Sequence, residues 1–286
     1  MLAIIGGSGA YHLLEQGKLA GQRLGPLETP FGPSAPLHRL HLGGEWALFM
    51  SRHGEQGYEV CASWVNYRAN IWALKEAGAT CIAAWSGPGA IDESLAPGSF
   101  VVPDDLLDET HGRESSFFRG SGLGFVRQSP VFCSTLREAF RQGAAALGLE
   151  WRDGGTYACT QGPRLETPAE IRKLRLLGGH LVGMTLAPEC FLARELELCY
   201  LPVCYVTNLA EGVRPAHYQE GVLFEGLLDP EAAARVEGAV ARFPEIMAAL
   251  ASHLEERADC PCRRAMERYR RSGRIGADWH QWVTER

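Results

Sequence analysis

Short apolar runs alternate with longer segments of helical periodicity along most of this chain. A run of five to eight residues rich in Val, Ile and aromatic side chains is typical of a buried strand, and apolar residues repeating every three to four positions are typical of a helix. This alternation predicts a single α/β domain with a central twisted mixed β-sheet flanked by helices. The predicted strands are LAIIG, WALFMS, TCIAAWSG, SFVVPDDLLD, GTYACTQG, LVGMTL and LPVCYVTN, and the longest predicted helix is PEAAARVEGAVARFPEIMAALASHLEER.

The composition changes near Ala258, which predicts a main domain of residues 1–257 and an Arg-rich C-terminal extension of residues 258–286. We expect the extension to be a solvated amphipathic helix that closes the fold, or a contact between subunits. Its Cys260-Pro261-Cys262 pair is a disulfide or redox pair, or two free exposed thiols. Zinc needs about four ligands, and the nearby histidines that could add to the pair are His253 and His280.

The bulk composition is that of an ordinary globular protein, with 286 residues, 46% hydrophobic and 22% charged. A formal net charge of -6 argues against nucleic acid as a partner, because phosphate backbones attract clustered Lys and Arg. The N-terminal apolar run lacks a basic flank and is too short to span a membrane. We therefore expect a cytoplasmic protein, and free thiols in a reducing compartment explain most of its nine cysteines.

Three predicted strands end in residues suited to an anion. A glycine-rich turn with Ser8 follows the first, Arg52 and His53 follow the second, and the third ends in Ser86 and Gly87. Ligands of α/β sheets bind outside the carboxyl ends of the strands, and arginine offers a planar fork of donors to phosphate. Taken singly, each feature is equally consistent with a tight turn or an exposed polar pair.

Three further stretches present polar side chains after a strand: GPRLETPAE, VGMTLAPEC and YVTNLAEG. Their candidates are Arg164 and Glu166, then Thr185, then Thr207 and Asn208. The two threonines could instead cap a helix or end a strand.

Together, these motifs resemble the trimeric nucleoside phosphorylase family, which includes purine nucleoside, 5'-methylthioadenosine and methylthioinosine phosphorylases. The resemblance runs in order from Ala3 to about Glu256 through IIGGSG, RHG, PGSFVVPDDLLD, GPRLET, GMTLAPE and VTN. It implies the nucleoside phosphorylase fold, a homotrimer, and attack of phosphate on the sugar carbon C1' to release a purine base. It also implies no metal and no cofactor, with inorganic phosphate as co-substrate.

The resemblance assigns a role to each motif. Ser8, Arg52, His53, Ser86 and Thr185 should hold phosphate with help from the Gly87 N–H, and Met184 should lie against the ribose. Leu165 should pack on the base, while Glu166 accepts hydrogen bonds from purine N1–H. Asn208 should donate to O6 and N7, and Ala210 replaces a second aspartate of adenine-specific relatives. These features favour a 6-oxopurine nucleoside, with Asn208, Glu166 and His53 as the catalytic residues.

The pocket for the 5' end of the sugar has two candidate alignments. Phe224, with Leu228 nearby, would bury a 5'-methylthio group, whereas His217 would meet a 5'-hydroxyl. The resemblance also implies a loop donated by a neighbouring subunit, for which His111, Phe117 and Phe118 in ETHGRESSFF are the candidates.

Four rival interpretations remain open. A methylthioadenosine phosphorylase would need Glu166 and Asn208 to be tolerated substitutions, and a hydrolytic nucleosidase would not need a phosphate cradle. A dinucleotide-dependent oxidoreductase is disfavoured, because no acidic residue follows a second strand at the usual distance. A non-catalytic paralogue that senses nucleosides would have lost its phosphate chemistry.

Overall fold

The computed structural model describes residues 1–7, 21–56, 58–214, 220–223, 228–254 and 260–283. Within these ranges the chain is an α/β fold of two main β-sheets covered by helices, with a separate two-stranded β3-β4 sheet. The strands are β1 (Leu2–Gly6), β2 (Gly21–Gly25), β3 (Glu28–Thr29), β4 (Gly32–Pro33), β5 (Leu37–Leu42), β6 (Glu45–Ser51), β7 (Cys81–Ser86), β8 (Gly89–Ala90), β9 (Phe100–Val102), β10 (Asp105–Glu109), β11 (Trp151–Asp153), β12 (Thr156–Thr160), β13 (Gly179–Gly183), β14 (Cys199–Tyr205) and β15 (Asn208–Leu209). The helices are α1 (Tyr67–Glu76), α2 (Ser134–Ala146), α3 (Pro168–Leu176), α4 (Leu186–Glu195), α5 (Pro230–Ala241), α6 (Phe243–Ser252) and α7 (Glu267–Arg271).

The larger sheet has the order β11-β9-β14-β7-β1-β6-β5-β2 among the described strands. Its four central strands, β14, β7, β1 and β6, are parallel to one another, and β7 and β14 are buried along their whole length. Parallel strands covered by helices on both faces read as continuous apolar runs, which is why the sequence identifies them so clearly.

A smaller sheet has the order β10-β12-β13-β8-β15. The chain passes from the larger sheet to the smaller one at four places, between β7 and β8, β9 and β10, β11 and β12, and β14 and β15, each time with only two residues between the strands. The crossings after β7 and β14 lie at the carboxyl ends of these strands, which places the motifs that follow them between the two sheets. The prediction of a mixed α/β fold flanked by helices is confirmed, with two sheets in place of one.

Prolines and glycines explain the differences from the predicted elements. SFVVPDDLLD forms two strands in different sheets, because Pro103 has no N–H to continue the ladder. The last long helix is two helices, α5 and α6, with Pro244 in the first turn of the second. The unpredicted strand β5 pairs with β6 through a turn at Gly43 and Gly44, whose φ values of 59° and 95° favour glycine.

The C-terminal segment of residues 260–283 packs on the same apolar core as the sheet. Cys260, Met266, Tyr269 and Trp282 are buried in that core. The Lys75 ammonium of α1 lies over the ring of Trp282, 5.5 Å from its centroid. The segment therefore covers the fold rather than projecting from it, and no helix in the described ranges has the length and apolarity required to traverse a bilayer.

Candidate active site

The carboxyl ends of four parallel strands meet at one edge of the larger sheet. Gly6 is level with Ser51 in β6 and with Trp85 in β7, and Ser86 is level with Cys204 in β14. The motifs that follow these strands are therefore neighbours in space, although up to about 200 residues separate them in the chain. The Arg52 N–H donates to the Gly6 carbonyl at 3.2 Å, which joins the glycine-rich turn to the arginine.

Arg52 is 2% exposed and forms a bidentate ion pair with Glu189. Its Nε and Nη2 donate to the two carboxylate oxygens at 3.0 Å, and its Nη1 donates to the Thr185 hydroxyl at 3.0 Å. Burial opposes the charge of the guanidinium, but the Glu189 carboxylate raises the pKa of Arg52 above its ordinary value. Arginine has five N–H groups, so two remain for a ligand after these three bonds.

Glu189 is a functional candidate that the sequence interpretation missed. It lies in α4 and is 1% exposed, and the Tyr200 hydroxyl donates to its Oε1 at 2.6 Å. A glutamate within the apolar stretch LAPECFLARE signals a paired buried charge, because an unpaired one would be too costly to bury. Thr185 precedes α4 but makes no capping bond. Since its oxygen accepts from Arg52, its hydroxyl proton is free to point at a ligand.

His53 is 3% exposed, and its Nδ1 is 2.8 Å from the Val60 carbonyl. A carbonyl only accepts, so Nδ1 carries the proton and Nε2 presents a lone pair. Burial first, and then the charge of Arg52, lower the pKa of His53 to about 4. The imidazole is therefore neutral near pH 7 and offers an acceptor rather than a positive charge.

Ser86 and Gly87 end β7 in a tightly packed corner. Ser86 Oγ lies 3.4 Å from the hydroxyl of Tyr157, a fully buried residue of β12. A Cβ atom at Gly87 would lie 2.8 Å from Thr207 Cγ2 and 3.0 Å from the ring of Tyr205. A side chain at position 87 would displace these neighbours, so glycine fits best there, and Gly87 itself is exposed.

Glu166 is half-buried, and the Thr160 hydroxyl at the end of β12 donates to its Oε1. Thr160 Oγ1 also lies 3.3 Å from the Gly183 carbonyl at the end of β13. The glutamate of GPRLET is thereby held over the carboxyl ends of two strands of the smaller sheet. The sequence interpretation did not identify Thr160, although its hydroxyl orients the carboxylate.

The other residues of GPRLET have separate positions. Arg164 is exposed and pairs with Glu170 of α3, its Nη2 lying 2.7 Å from the carboxylate Oε1. Leu165 is half-buried next to Glu166. The Met184 sulfur lies 2.5 Å from where a Cβ of Gly162 would be, so the Leu165 and Met184 stretches are in contact. The charge of Arg164 thus supports the turn and is not brought to the strand ends.

Asn208 begins β15 and has a defined amide orientation. The Thr207 hydroxyl is 2.6 Å from its Oδ1, and its Nδ2 donates to the Leu209 carbonyl at 2.8 Å. The oxygen accepts from a hydroxyl, so the nitrogen is the atom that remains as a donor, with one of its two protons unused. Ala210 beside it is 6% exposed and brings no ionisable group to the site.

Arg113 holds two parts of the site together. It lies in the loop ETHGRESSFF, which the family resemblance predicts to complete the sugar pocket of a neighbouring subunit. Its Nη1 donates to the carbonyls of Met184 and Ala187, both at 2.7 Å. Its Nη2 donates to the carbonyls of Gln161 at 2.7 Å and Thr160 at 3.2 Å. One guanidinium therefore ties the end of β12 to the start of α4, a role that sequence reasoning missed.

The proposal that Phe117 and Phe118 reach a neighbouring subunit is wrong. Their side chains are 4% and 5% exposed and fill the core of their own chain, where the Phe117 ring lies 5.2 Å from that of Phe31. Buried rings are not available to a partner. Of the three candidates only His111 is exposed, and its N–H donates to Gln161 Oε1 at 3.0 Å.

Ser8, His217 and Phe224 lie outside the described residues. Leu228 is described as half-buried in the stretch before α5. The choice between Phe224 and His217 at the 5' end of the sugar therefore stays a prediction.

Comparison with known proteins identifies the family. The model of the phosphorylase superfamily matches residues 1–245. The chain belongs to the phosphorylase superfamily. The site described above thus lies within the part of the chain that the superfamily model covers, and the C-terminal segment of residues 260–283 lies beyond it.

Individual superfamily members cover most of the chain. A probable S-methyl-5'-thioinosine phosphorylase of Methanothermobacter thermautotrophicus is 39% identical over 93% of this chain and 89% of its own length. The 6-oxopurine nucleoside phosphorylase of Pyrococcus furiosus is 41% identical over 74% of this chain and 80% of its own. The crystal structure of a methylthioadenosine phosphorylase from an antarctic soil metagenomic library superposes with a TM-score of 0.79 at 28% identity, covering 92% of this chain and 90% of that one.

Proposed function

We propose that this protein is a purine nucleoside phosphorylase that cleaves 6-oxopurine nucleosides, S-methyl-5'-thioinosine or inosine and guanosine, with inorganic phosphate. The products are the free base and a ribose 1-phosphate or 5-methylthioribose 1-phosphate. The observation that carries the choice of base is the amide of Asn208, whose oxygen is held by Thr207 so that its nitrogen is a donor.

A donor at this position complements a 6-oxopurine. As the bond to C1' breaks, negative charge accumulates on the leaving base at N7 and O6, and an N–H aimed at these atoms stabilises it. The Glu166 carboxylate supplies the complementary acceptor for N1–H. An adenine would offer its 6-amino group to the Asn208 N–H and would present no N1–H to Glu166, leaving buried polar groups unpaired.

Phosphate binds at the strand ends in this proposal. The unused N–H groups of Arg52, the hydroxyls of Thr185, Ser86 and Ser8, and the Gly87 N–H supply donors, while neutral His53 accepts from a protonated phosphate oxygen. Glu189 keeps Arg52 oriented and reduces its net charge. The bound dianion then faces a ribosyl centre that becomes cationic in the transition state, so phosphate stabilises the charge that it subsequently attacks.

The relatives named above include proteins of both the S-methyl-5'-thioinosine and the 6-oxopurine class. This proposal also includes a homotrimer, in which His111 approaches a neighbour's sugar site, and a cytoplasmic location. A 5'-methylthioadenosine phosphorylase is the second candidate, because the metagenomic structural neighbour is a methylthioadenosine phosphorylase.

The test is phosphorolysis of inosine, guanosine, 5'-methylthioinosine and 5'-methylthioadenosine, each with and without phosphate. We expect cleavage of the 6-oxo compounds that requires phosphate. Glu166→Gln should reduce kcat/KM for them about 100-fold, because the single amide oxygen stays with the Thr160 hydroxyl and an NH2 donor then faces N1–H. The matched control is Glu231→Gln in α5, whose side chain is 88% exposed and pairs with Arg235 in the same helix.

The alternative outcomes are distinct. A preference for methylthioadenosine would establish the second candidate, and cleavage without phosphate would indicate a nucleosidase. The ratio of methylthioinosine to inosine turnover decides between Phe224 and His217.

A further inference from the structure

Four cysteines from three distant parts of the chain meet in the core. Cys133 precedes α2, Cys199 begins β14, and Cys260 and Cys262 flank Pro261 in the C-terminal segment. Their exposed fractions are between 1% and 6%, and their four Sγ atoms all lie within 4.8 Å of one another. The expectation of two exposed thiols at Cys260 and Cys262 is therefore wrong.

The spacing of the sulfur atoms matches a tetrahedron rather than a pair of disulfides. Cys260 Sγ is 3.6 Å from Cys133 Sγ and 3.5 Å from Cys199 Sγ. Four thiolates about 2.3 Å from a zinc ion stand about 3.8 Å from one another, whereas a disulfide bond is about 2.05 Å long. Cys260 is almost equally near two sulfur atoms, and a disulfide would select one of them.

The surroundings of the cluster favour negatively charged sulfur. Arg194 is 7% exposed, its Nη1 donates to Cys262 Sγ at 3.4 Å, and its Nη2 donates to the Pro130 carbonyl at 2.6 Å. Its hydrogen bonds in the described part of the chain reach sulfur and carbonyl oxygen, with no carboxylate among them. A buried guanidinium of this kind requires an anion, and thiolate sulfur is the group that it contacts.

Two further donors support the same sulfur atoms. The Thr135 hydroxyl lies 3.6 Å from Cys260 Sγ. Cys133 is the residue before the 13-residue helix α2, whose N-terminal N–H groups and dipole stabilise a thiolate. Metal-bound sulfur is typically oriented by such outer contacts.

We propose that Cys133, Cys199, Cys260 and Cys262 bind one Zn²⁺ as a structural tetrathiolate site. Four thiols lose four protons when the ion binds, giving a site of net charge -2 that Arg194 partly compensates. Thiolate sulfur selects a soft or borderline ion, so Mg²⁺ and Ca²⁺ do not compete. His253 and His280, the zinc ligands considered from sequence, bond instead to the Ala249 carbonyl and to Asp278.

The site is separate from the nucleoside site. Cys199 begins β14, whereas Thr207 and Asn208 follow its other end, and seven residues of strand span roughly 23 Å. Zinc at this edge would join the C-terminal segment to β14 and α2 and would take no part in phosphorolysis. The proposal therefore stands independently of the proposed function.

The test is metal and thiol analysis of the full chain, expressed with added zinc and purified without chelator. We expect about one zinc and no iron per chain by mass spectrometry of the elements. After denaturation with chelator and without reductant, all nine cysteines should react as thiols. The double variant Cys260→Ser, Cys262→Ser should lose the zinc, and the control Cys61→Ser, a partly exposed cysteine outside the cluster, should keep it.

A second experiment removes the ion from the unmodified protein, so that the proposal can be tested even if the double variant does not fold. A strong zinc chelator should lower the melting temperature, and added Zn²⁺ but not Mg²⁺ should restore it. Nine free thiols without bound zinc would overturn the proposal, and so would one iron per chain in place of zinc. Seven or five free thiols without zinc would also overturn it, because they would indicate one or two disulfides.

Discussion

In the proposed function, one atom of the Asn208 side chain determines which base is recognised. An amide and a carboxylate have the same shape, but the amide offers N–H donors where the acid offers only acceptors or a transferable proton. In this protein Thr207 holds the amide oxygen, which leaves the nitrogen toward a ligand. The resemblance to 6-oxopurine phosphorylases predicted the residue, but the orientation of the amide depends on a neighbour that the motif does not specify.

The variant Asn208→Asp tests this argument. We expect the ratio of kcat/KM for inosine to that for adenosine to fall at least ~100-fold, because the carboxylate repels O6 and its protonated form can serve an adenine N7. Steady-state phosphorolysis of both nucleosides measures the ratio. Asn208→Ala is the control, since it should lower inosine cleavage without improving adenosine cleavage. An unchanged ratio in Asn208→Asp would show that residue 208 does not recognise the base.

Arg52 and Glu189 show the limit of reading single residues. The position of Arg52 after a strand predicted a phosphate ligand, but the sequence does not reveal that a glutamate 137 residues away occupies two of its N–H groups. A pairing over this separation depends on which strand lies beside which helix. Only the apolar surroundings of Glu189 indicate from sequence that it is buried and paired.

The loop before α2 that contains Arg113 acts as an element of the site in its own chain. The arginine bonds to carbonyl groups at the end of β12 and at the start of α4, and the Phe117 ring anchors the loop in the core. The Arg113 clamp thus holds the Glu166 stretch and the Met184 stretch at a set separation. The same loop was predicted from family resemblance to serve a neighbouring subunit.

We predict that Arg113→Lys lowers kcat/KM about 10- to 100-fold, because a single ammonium cannot bridge several carbonyls and the base site loses its spacing. Steady-state kinetics at saturating phosphate measures the change. Arg119→Lys in the same loop is the control, as its side chain is 79% exposed and, among the described residues, pairs with Glu114 at the surface. Equal kcat/KM values for the two variants would show that Arg113 does not position the site.

Two buried titratable groups change the free energy of unfolding with pH in opposite directions. His53 has a pKa lowered to about 4, so the folded chain binds fewer protons than the unfolded chain between pH 4 and 6.5, and stability falls as the pH falls through this window. Glu195 in α4 behaves in the opposite way. Burial raises its pKa to about 7, so the folded chain holds an extra proton and stability falls as the pH rises from about 4.5 to 7.

A comparison with the variant His53→Gln separates the contribution of His53 to stability from that of Glu195. Between pH 7 and pH 5 the unmodified protein should lose about 2 kcal/mol more of its free energy of unfolding than the variant, because the variant lacks His53, which is neutral in the folded chain and gains a proton on unfolding. Urea unfolding at both pH values and one protein concentration measures the difference. Glu195 is common to both proteins and cancels. Equal losses in the two proteins would show that His53 is protonated in the folded state.

The local pattern of the chain determined the elements and most of the motifs. Continuous apolar runs predict buried parallel strands, and polar residues directly after them predict a site at the carboxyl ends of the sheet. The structure places Arg52, Ser86, Thr185, Glu166 and Asn208 in elements that meet there. The predictions of buried strands succeed because strand and turn preferences depend on residues that are close in sequence, whereas the binding roles of these side chains stay predictions.

Tertiary structure alone decided which distant groups become partners. Cys133 and Cys260 are 127 residues apart. This separation, like that of Arg52 and Glu189, forms no recognisable motif in the sequence. The choice of partner follows from strand order and helix packing, which bury some polar groups and leave others exposed. The sequence therefore predicts the elements of the proposed nucleoside site, whereas the buried ion pair, the Arg113 clamp and the four-cysteine cluster are consequences of the fold.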